Sequence, residues 1–343
     1  AVFGTCGGGL SVVPALCDFA FVEKDGGKVF VNSPNAIEGN RAEKCDTSAA
    51  EFQSSETGIV DGIGTEDEIF AKIRSLVSIL PENNQADVYT GECTDDLNRA
   101  CESMENMRGD ARYLLAEISD GHVFFETKED YAKDMVTGFI KLNGMTVGAV
   151  ANCTEVYDET GSKKEEFEPV LTARGCDKAA EFIAFCDAFE IPVLSMAHVT
   201  GFKACKCAEK RLAKAMGRLT YAFANATVPK VNLITGDVFG SASVIMNAKS
   251  IGADLVYAWP DVKVGMMDAK LAAGIMYEGE SADVIEKKAK EYDALQDSVL
   301  SAAKRGYVDL VVEPQDTRKY MVAAFEMLYT KRMDGPFKKH GTK

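Results

Sequence analysis

Two stretches of this chain, about 230 residues apart, read alike, and no other feature limits its fold as much. The first runs Cys6-Gly7-Gly8-Gly9-Leu10, a helical stretch, then Asp18-Phe19-Ala20-Phe21-Val22 and Lys28-Val29-Phe30-Val31. The second runs Phe239-Gly240-Ser241-Ala242-Ser243, a helical stretch, then Asp254-Leu255-Val256-Tyr257 and Lys263-Val264-Gly265-Met266. Each copy is a small-residue turn, a helix, an aspartate that opens a buried strand, and a second strand. Asp to Lys is 10 residues in the first copy and 9 in the second. Gly8 to Asp18 is 10 residues and Gly240 to Asp254 is 14, one helical turn more.

Small residues where a strand passes into a helix leave the backbone N–H groups at the helix start open to a ligand. Two such groups aimed at one oxygen make an oxyanion hole. The other reading of small residues here is close helix–strand packing. The duplication, with matching strands downstream, favours the ligand-facing reading and predicts two such holes.

The chain has 343 residues, 38 basic and 53 acidic, for a net charge of −15. That balance argues against nonspecific binding to nucleic acid or anionic membranes, which needs clustered Lys and Arg. Apolar residues make up 46%, enough for a core, so general disorder is excluded. No apolar run is long enough to span a bilayer, and no basic start followed by an apolar stretch marks a signal peptide. Ten cysteines lack the paired spacing of a zinc site, Cys205-Lys206-Cys207 being the nearest approach. They read as reduced thiols in a cytoplasmic protein, with no metal. The chain opens Ala1-Val2-Phe3-Gly4, which reads as the middle of a strand.

A capping box, Thr65 with Glu68, predicts a helix over 66–80, ended by Pro81, with Ile69, Phe70, Ile73, Leu76, Val77 and Leu80 facing the core. The polar stretch 81–110 reads as a boundary. The expected division is 1–85, a linker over 86–112, and 113–343. The acidic segment 155–168 reads as a solvated surface excursion. Strands are expected at 136–142 and 146–151 around Asn143-Gly144, then at 191–196, 231–235 and 255–259. Helices are expected at 176–189, 208–226 and 241–250, with Glu209 favouring the start of the second of these. Alternation of this kind means an α/β sheet covered by helices.

The residues resemble the carboxyltransferase family of biotin-dependent acyl-CoA carboxylases and decarboxylases, of the propionyl-CoA carboxylase beta and methylmalonyl-CoA decarboxylase alpha type. The likeness is carried by Cys6-Gly7-Gly8-Gly9 with Pro14-Ala15-Leu16-Cys17-Asp18-Phe19, and by Gly138-Phe139-Ile140 with Gly148-Ala149-Val150-Ala151-Asn152. It continues through Asp177-Lys178-Ala179-Ala180, Phe185-Cys186-Asp187-Ala188-Phe189-Glu190-Ile191-Pro192 and Tyr221-Ala222-Phe223-Ala224-Asn225-Ala226-Thr227-Val228-Pro229-Lys230. Gly252-Ala253-Asp254-Leu255, Tyr257-Ala258-Trp259-Pro260 and the end of the chain, 331–341, complete it.

The resemblance implies an α/β, crotonase-like ββα superhelix in two related domains, the first incomplete here. It implies a homo-oligomer, a hexamer built as a dimer of trimers or a dimer, with the site between the first domain of one subunit and the second of another. Carboxyl transfer between biotin, on a carrier protein, and the α-carbon of an acyl-CoA is the implied reaction. A biotin carboxylase or a membrane decarboxylase subunit is the implied partner. By resemblance Gly8 and Gly9 hold the acyl-CoA carbonyl, and Ser241 and Ala242 the biotin oxygen. Cys6, Gly7, Gly240, Ser243, Val244 and His198 border the substrates.

Some positions depart from the family. Relatives usually have Gly-Gly-Ala-Tyr at the second turn, where this chain has Gly240-Ser241-Ala242-Ser243. Serine keeps the N–H, provided the turn needs no positive φ there. Val244 stands where several carboxylases have Asp, and Asp268 where Gly is common. The segment 205–217 lacks the paired glycines relatives have. His198 ends a strand where Asp is common; it reads either as an acid/base near neutral pH or as a locally bonded loop histidine. His122 and His340 read as surface residues. The competing class is a non-catalytic CoA-binding or scaffolding subunit. An enoyl-CoA hydratase or isomerase ranks last, since residues 6–17 contain no Glu.

Overall fold

Asn143 and Gly144 both take positive φ, 52° and 78°, and join two eight-residue antiparallel strands in a tight hairpin. A computed structural model describes residues 1–40, 44–158 and 160–333. His340, the 334–341 end of the family likeness and Glu159 of the acidic segment lie outside the described residues.

In chain order the strands are β1 (Thr5–Gly7), β2 (Phe21–Glu23), β3 (Lys28–Phe30), β4 (Gly62–Gly64), β5 (Phe124–Thr127), β6 (Met135–Leu142), β7 (Met145–Asn152) and β8 (Glu155–Tyr157). They continue with β9 (Lys163–Glu166), β10 (Val170–Leu171), β11 (Val193–Val199), β12 (Gly201–Phe202), β13 (Lys230–Phe239), β14 (Leu255–Ala258), β15 (Val264–Gly265) and β16 (Leu310–Val311). The main sheet runs β16-β14-β13-β11-β7-β6-β5, with β15 added on the end of β13. From β7 to β16 the pairs are parallel; β5–β6 and β6–β7 are antiparallel. Strands β6, β7, β11 and β13 are buried almost throughout, the pattern of a sheet covered on both faces. Helices Ala111–Ile118 and Ala173–Ala188 pack against it, and Leu212–Asn225 packs on the latter.

Two expected helices are shorter than their patterns. The stretch 208–226 breaks at Arg211 (φ −132°, ψ −24°) into Lys206–Glu209 and Leu212–Asn225. The stretch 241–250 stops at Ile245, because buried Asn247 takes φ 64°, a left-handed turn that ends a helix.

The helix Glu66–Ile79 starts at the expected capping box. Its buried stripe is Ile69, Leu76 and Ile79; Phe70 and Val77 are 45% and 69% exposed, against expectation. Each sits one residue, about 100° of helical rotation, beyond a core position. Phe70 instead meets the Phe3 ring at 5.5 Å.

The stretch 81–110 forms no regular helix or strand, yet Val88, Cys101 and Met104 are buried in the main core. Wholly buried Arg318 ties it down, donating to the Asp96 carbonyl (3.1 Å), the Ile118 carbonyl (2.6 Å) and Asp120 (2.7 Å).

The repeat is present at the level of strand register. In the first half, Val2 bridges Val22, β1 pairs with β3, and β2 with β4, all parallel. In the second half, the start of β13 pairs with β14, its end with β15, and β14 with β16, all parallel. Lys28 bridges Ala49 and Lys263 bridges Ser298, both antiparallel. The last pairs before the turns are Gly7 with Phe30 and Phe239 with Gly265. Gly8 is therefore the counterpart of Gly240, one residue off an alignment that sets Cys6 opposite Phe239.

Candidate active site

The two turns share one backbone conformation: Gly8 has φ 61° and Gly240 has φ 59°. A side chain is strained at such a φ, which is why each position is glycine. At the first turn, Gly7 is extended (φ −109°, ψ 156°) and a 3-10 turn, Gly8–Ser11, leads into the helix Val12–Leu16. Any Cβ on Gly7 would strike the Phe30 ring at 2.7 Å. Around Gly8 and Gly9 the space is open: nothing lies within 4 Å of where their Cβ atoms would be. The Ser11 hydroxyl donates to the Gly8 carbonyl (2.7 Å), and the buried Cys6 thiol to the Leu10 carbonyl (3.1 Å).

At the second turn, Phe239 is extended and the helix Gly240–Ile245 starts at once. Ser241 has no positive φ, so serine fits there and its N–H remains as a donor. The Ala242 side chain is buried, Ser243 is half-buried, and Val244 lies at the exposed edge. A cavity of about 560 Å³ opens on Gly240, Ser241 and Ala242, with Phe202, Met266 and Leu271 as apolar walls. Asp237 and Asp268 are its carboxylates. At both turns the first helical N–H groups have no intrahelical acceptor.

His198 is not in the lining of this cavity. A bulge lies opposite it: Ala197 pairs with Ile234 and Val199 with Val238, so residues 235–237 face His198. The imidazole lies on Gly236, where a Cβ would collide with the ring. Its backbone N–H donates to Asn152 Oδ1 (3.2 Å). Burial chiefly holds its pKa down, Asp237 opposing and Arg108 adding, so it is held neutral. Cys205 is the cap of the turn Lys206–Glu209, its sulfur accepting from the Ala208 N–H at 3.3 Å. Among the described residues no group of His, Cys, Asp and Glu could hold a metal.

A second duplicated motif escapes the sequence pattern. Gly58-Ile59-Val60-Asp61 and Gly306-Tyr307-Val308-Asp309 both begin at a positive-φ glycine (71° and 80°) and both bury their valine. The spelled signal is Gly-x-Val-Asp, short enough to pass unnoticed without the register to align it.

A family model described as "Carboxyl transferase domain" matches residues 1–342. The chain belongs to the carboxyl transferase family. It is 34% identical over 358 residues to the propionyl-CoA carboxylase beta chain of Roseobacter denitrificans, covering 99% of this chain and 67% of that one. It is 32% identical to methylmalonyl-CoA decarboxylase subunit alpha of Veillonella parvula, with coverage of 99% and 67%. The crystal structure of a transcarboxylase 12S hexamer matches with a TM-score of 0.88 at 31% identity, covering 99% of this chain and 66% of that one. The fold is accordingly the crotonase-like α/β fold of carboxyltransferases. The chain spans about two thirds of the length of these relatives.

Proposed function

We propose that this chain is a carboxyltransferase component moving a carboxyl group between biotin and the α-carbon of a short-chain acyl-CoA. The observation that carries the reading is the matched pair of turns, Gly8 and Gly240, with one φ and one strand register. The names of the relatives support propionyl-CoA or methylmalonyl-CoA as the substrate class.

The transfer is hard because negative charge develops on two oxygens, that of the thioester enolate and that of the biotin ureido group. Fixed N–H dipoles stabilise such charge without titrating. The Gly8 and Gly9 N–H groups would take the thioester oxygen, since the open space there admits a carbonyl close to the backbone. The Ser241 and Ala242 N–H groups would take the ureido oxygen, and Phe202, Met266 and Leu271 offer apolar surface to a biotin ring. Biotin, when bound, would give or take the carboxyl group at its ureido nitrogen. Cys6, Gly7 and Gly240 shape the turns, Ser243 and Val244 border the second one, and His198 rests on Gly236, in the strand that leads to it, as a neutral group.

The scaffolding alternative drew on the altered second turn. Its force is reduced by Ser241, which occupies ordinary φ. Assembly as a homo-oligomer fits the exposed apolar residues beside each turn, Leu10, Val13 and Leu16 at the first and Met266, Leu271 and Ile275 at the second. The related transcarboxylase 12S is a hexamer. The division 1–85, 86–112 and 113–343, a biotin carrier protein, a biotin carboxylase or membrane decarboxylase partner, and a cytoplasmic address belong to the same reading. No described helix is long and apolar enough to cross a membrane.

The test is direct. Full-length protein is given free biotin with methylmalonyl-CoA or malonyl-CoA. Loss of the acyl-CoA carboxylate only when biotin is present supports the enzyme. Thioester binding without turnover supports the scaffold and sinks the carboxyltransferase reading.

A further inference from the structure

Asp297 is wholly buried, and neither of its carboxylate oxygens has a hydrogen-bond partner. Buried polar groups are almost always paired, so an orphan carboxyl calls for a reason. Its surroundings point to the second turn. The Oδ1 atom fills the space that a Cβ on Gly265 would occupy. Gly265 pairs with Phe239, the residue before Gly240. The next carbonyl, that of Met266, lies 3.1 Å from where a Gly240 Cβ would stand. Asp297 thus rests on the strand whose continuation braces the turn.

The first half of the chain supplies the contrast. Lys28 bridges Ala49 as Lys263 bridges Ser298, so Ser48 is the counterpart of Asp297. Ser48 is also buried, but its hydroxyl donates to Asp46 Oδ1 at 2.6 Å. One turn is backed by a small, satisfied, neutral group, and the other by a carboxyl with no partner.

We propose that Asp297 is a positioning residue of the second turn, acting through Gly265 and Met266 on Gly240 and so on the Ser241 and Ala242 N–H groups. The proposal rests on the carboxyltransferase reading of that turn. The groups facing Asp297 are Asp293 on its own segment, Lys263 beside β15, Asp268 at the head of the helix Ala269–Met276, and Asp237 in β13. Lys263 Nζ is bound to Asp293 (2.7 Å), and the Lys263 N–H donates to Asp237 (2.9 Å). Burial first, then Asp293, with Asp268 and Asp237 adding and Lys263 opposing, raises the Asp297 pKa to about 6. Once ionised, it sets a negative charge beneath donors that must receive negative charge. The neutral form suits the turn.

The experiment uses full-length protein, biotin and methylmalonyl-CoA, with Asp297→Asn, Asp297→Ala, Gly265→Ala and the double variant Gly265→Ala/Asp297→Ala. Gly265→Ala drives a methyl into Asp297 and is expected to lower kcat roughly 10- to 100-fold. The double variant, with the space vacated, is expected to recover most of that loss. KM for the acyl-CoA stays at the wild-type value in all four, because the first turn is untouched. Wild-type turnover declines as pH rises through about 6, and Asp297→Asn removes that decline. Asp297→Asn keeps the shape and guards against a variant that fails to fold. Hydrogen exchange at Val238 and Met246, whose N–H groups donate to the Lys263 carbonyl (2.8 Å) and to the Ala242 carbonyl of the turn (3.2 Å), reads the same contact without activity, and Asp297→Ala is expected to speed it. No recovery in the double variant, or unchanged exchange in Asp297→Ala, overturns the proposal. A wild type with no biotin-dependent turnover would instead overturn the carboxyltransferase reading, and the exchange measurement would still decide Asp297.

Discussion

Asp61 and Asp309 clasp the same strand position in the two halves of the chain. Oδ2 of Asp61 accepts from the Ala20 N–H at 2.8 Å, and Oδ2 of Asp309 accepts from the Val256 N–H at 2.8 Å. The Asp61 N–H returns a bond to the Ala20 carbonyl (2.7 Å), as the Asp309 N–H does to the Val256 carbonyl (2.8 Å). Each aspartate closes the parallel pair that follows it, β2 with β4 and β14 with β16. Each pair flanks the strand that leads into a glycine turn, so the clasps hold both turns to their sheets.

The Asp61 clasp carries a pH test. Burial raises the Asp61 pKa from 3.8 to about 6, the Ala20 N–H, Lys128 and Lys178 opposing and Glu181 adding. A folded-state pKa above the unfolded one means the neutral carboxyl contributes stability that is full below 3.8 and lost as pH rises through about 6. Asp61→Asn keeps the acceptor and stays neutral. Its Tm should gain on the wild type between about pH 4 and about pH 7. A Tm difference that is constant over that range would count against this account.

The paired turns give a double dissociation. Gly8→Val forces a β-branched residue to positive φ, where even a simple L-residue costs about 1–2 kcal/mol. Acyl-CoA turnover should fall, by roughly 100-fold if one donor is lost. Ala242→Val overpacks a site that is 1% exposed, at about 1–3 kcal/mol, and should weaken the dependence on biotin. Steady-state kinetics with each substrate varied in turn checks both. Wild-type constants in both variants would refute the model of two holes.

Much of this arrangement is legible in the sequence where the signal is local. Asn143-Gly144 dictates its hairpin, and Thr65 with Glu68 its helix start, because each motif bonds within a few residues. The glycine turns are legible for the same reason. What escaped depends on partners far along the chain. Asp61 bonds Ala20 across 41 residues and Asp309 bonds Val256 across 53. Phe70 and Val77 fit a helical apolar stripe, and only the packed neighbours show that it passes beside them. The register shift opposite His198, which sets its ring on Gly236, is likewise invisible in the sequence. Nothing local marks Asp297 as an orphan; its meaning comes from Gly265, which lies 32 positions earlier.

Arg318 supplies a test of the stretch 81–110. Its guanidinium is wholly buried against Asp120 (2.7 Å) and Asp95 (3.5 Å) and bonds two carbonyls of the stretch and its helix. Arg318→Met keeps most of the volume but leaves Asp120 without its cation, while Asp95 keeps Arg99 (3.1 Å). Breaking a buried pair from one side costs about 3–5 kcal/mol. The urea midpoint should fall accordingly, and proteolysis should begin within 81–110. If that segment were an independent linker, the midpoint of the main transition would not move.

The sharpest single comparison is between neighbours in the second turn. Gly240 has φ 59°, and a Cβ there would meet the Met266 carbonyl at 3.1 Å, so Gly240→Ala meets both backbone strain and a backbone neighbour. The strain alone is about 1–2 kcal/mol. Ser241 has ordinary φ and an exposed side chain, so Ser241→Gly changes only the freedom of the chain. Ser241→Gly should leave kcat within about twofold, since the donor is a backbone N–H. Gly240→Ala should lower it at least roughly tenfold, with KM for the acyl-CoA unchanged. A large loss in Ser241→Gly would mean that the serine hydroxyl, rather than its N–H, carries the interaction. A silent Gly240→Ala would mean that the turn does not need the conformation in which it is held.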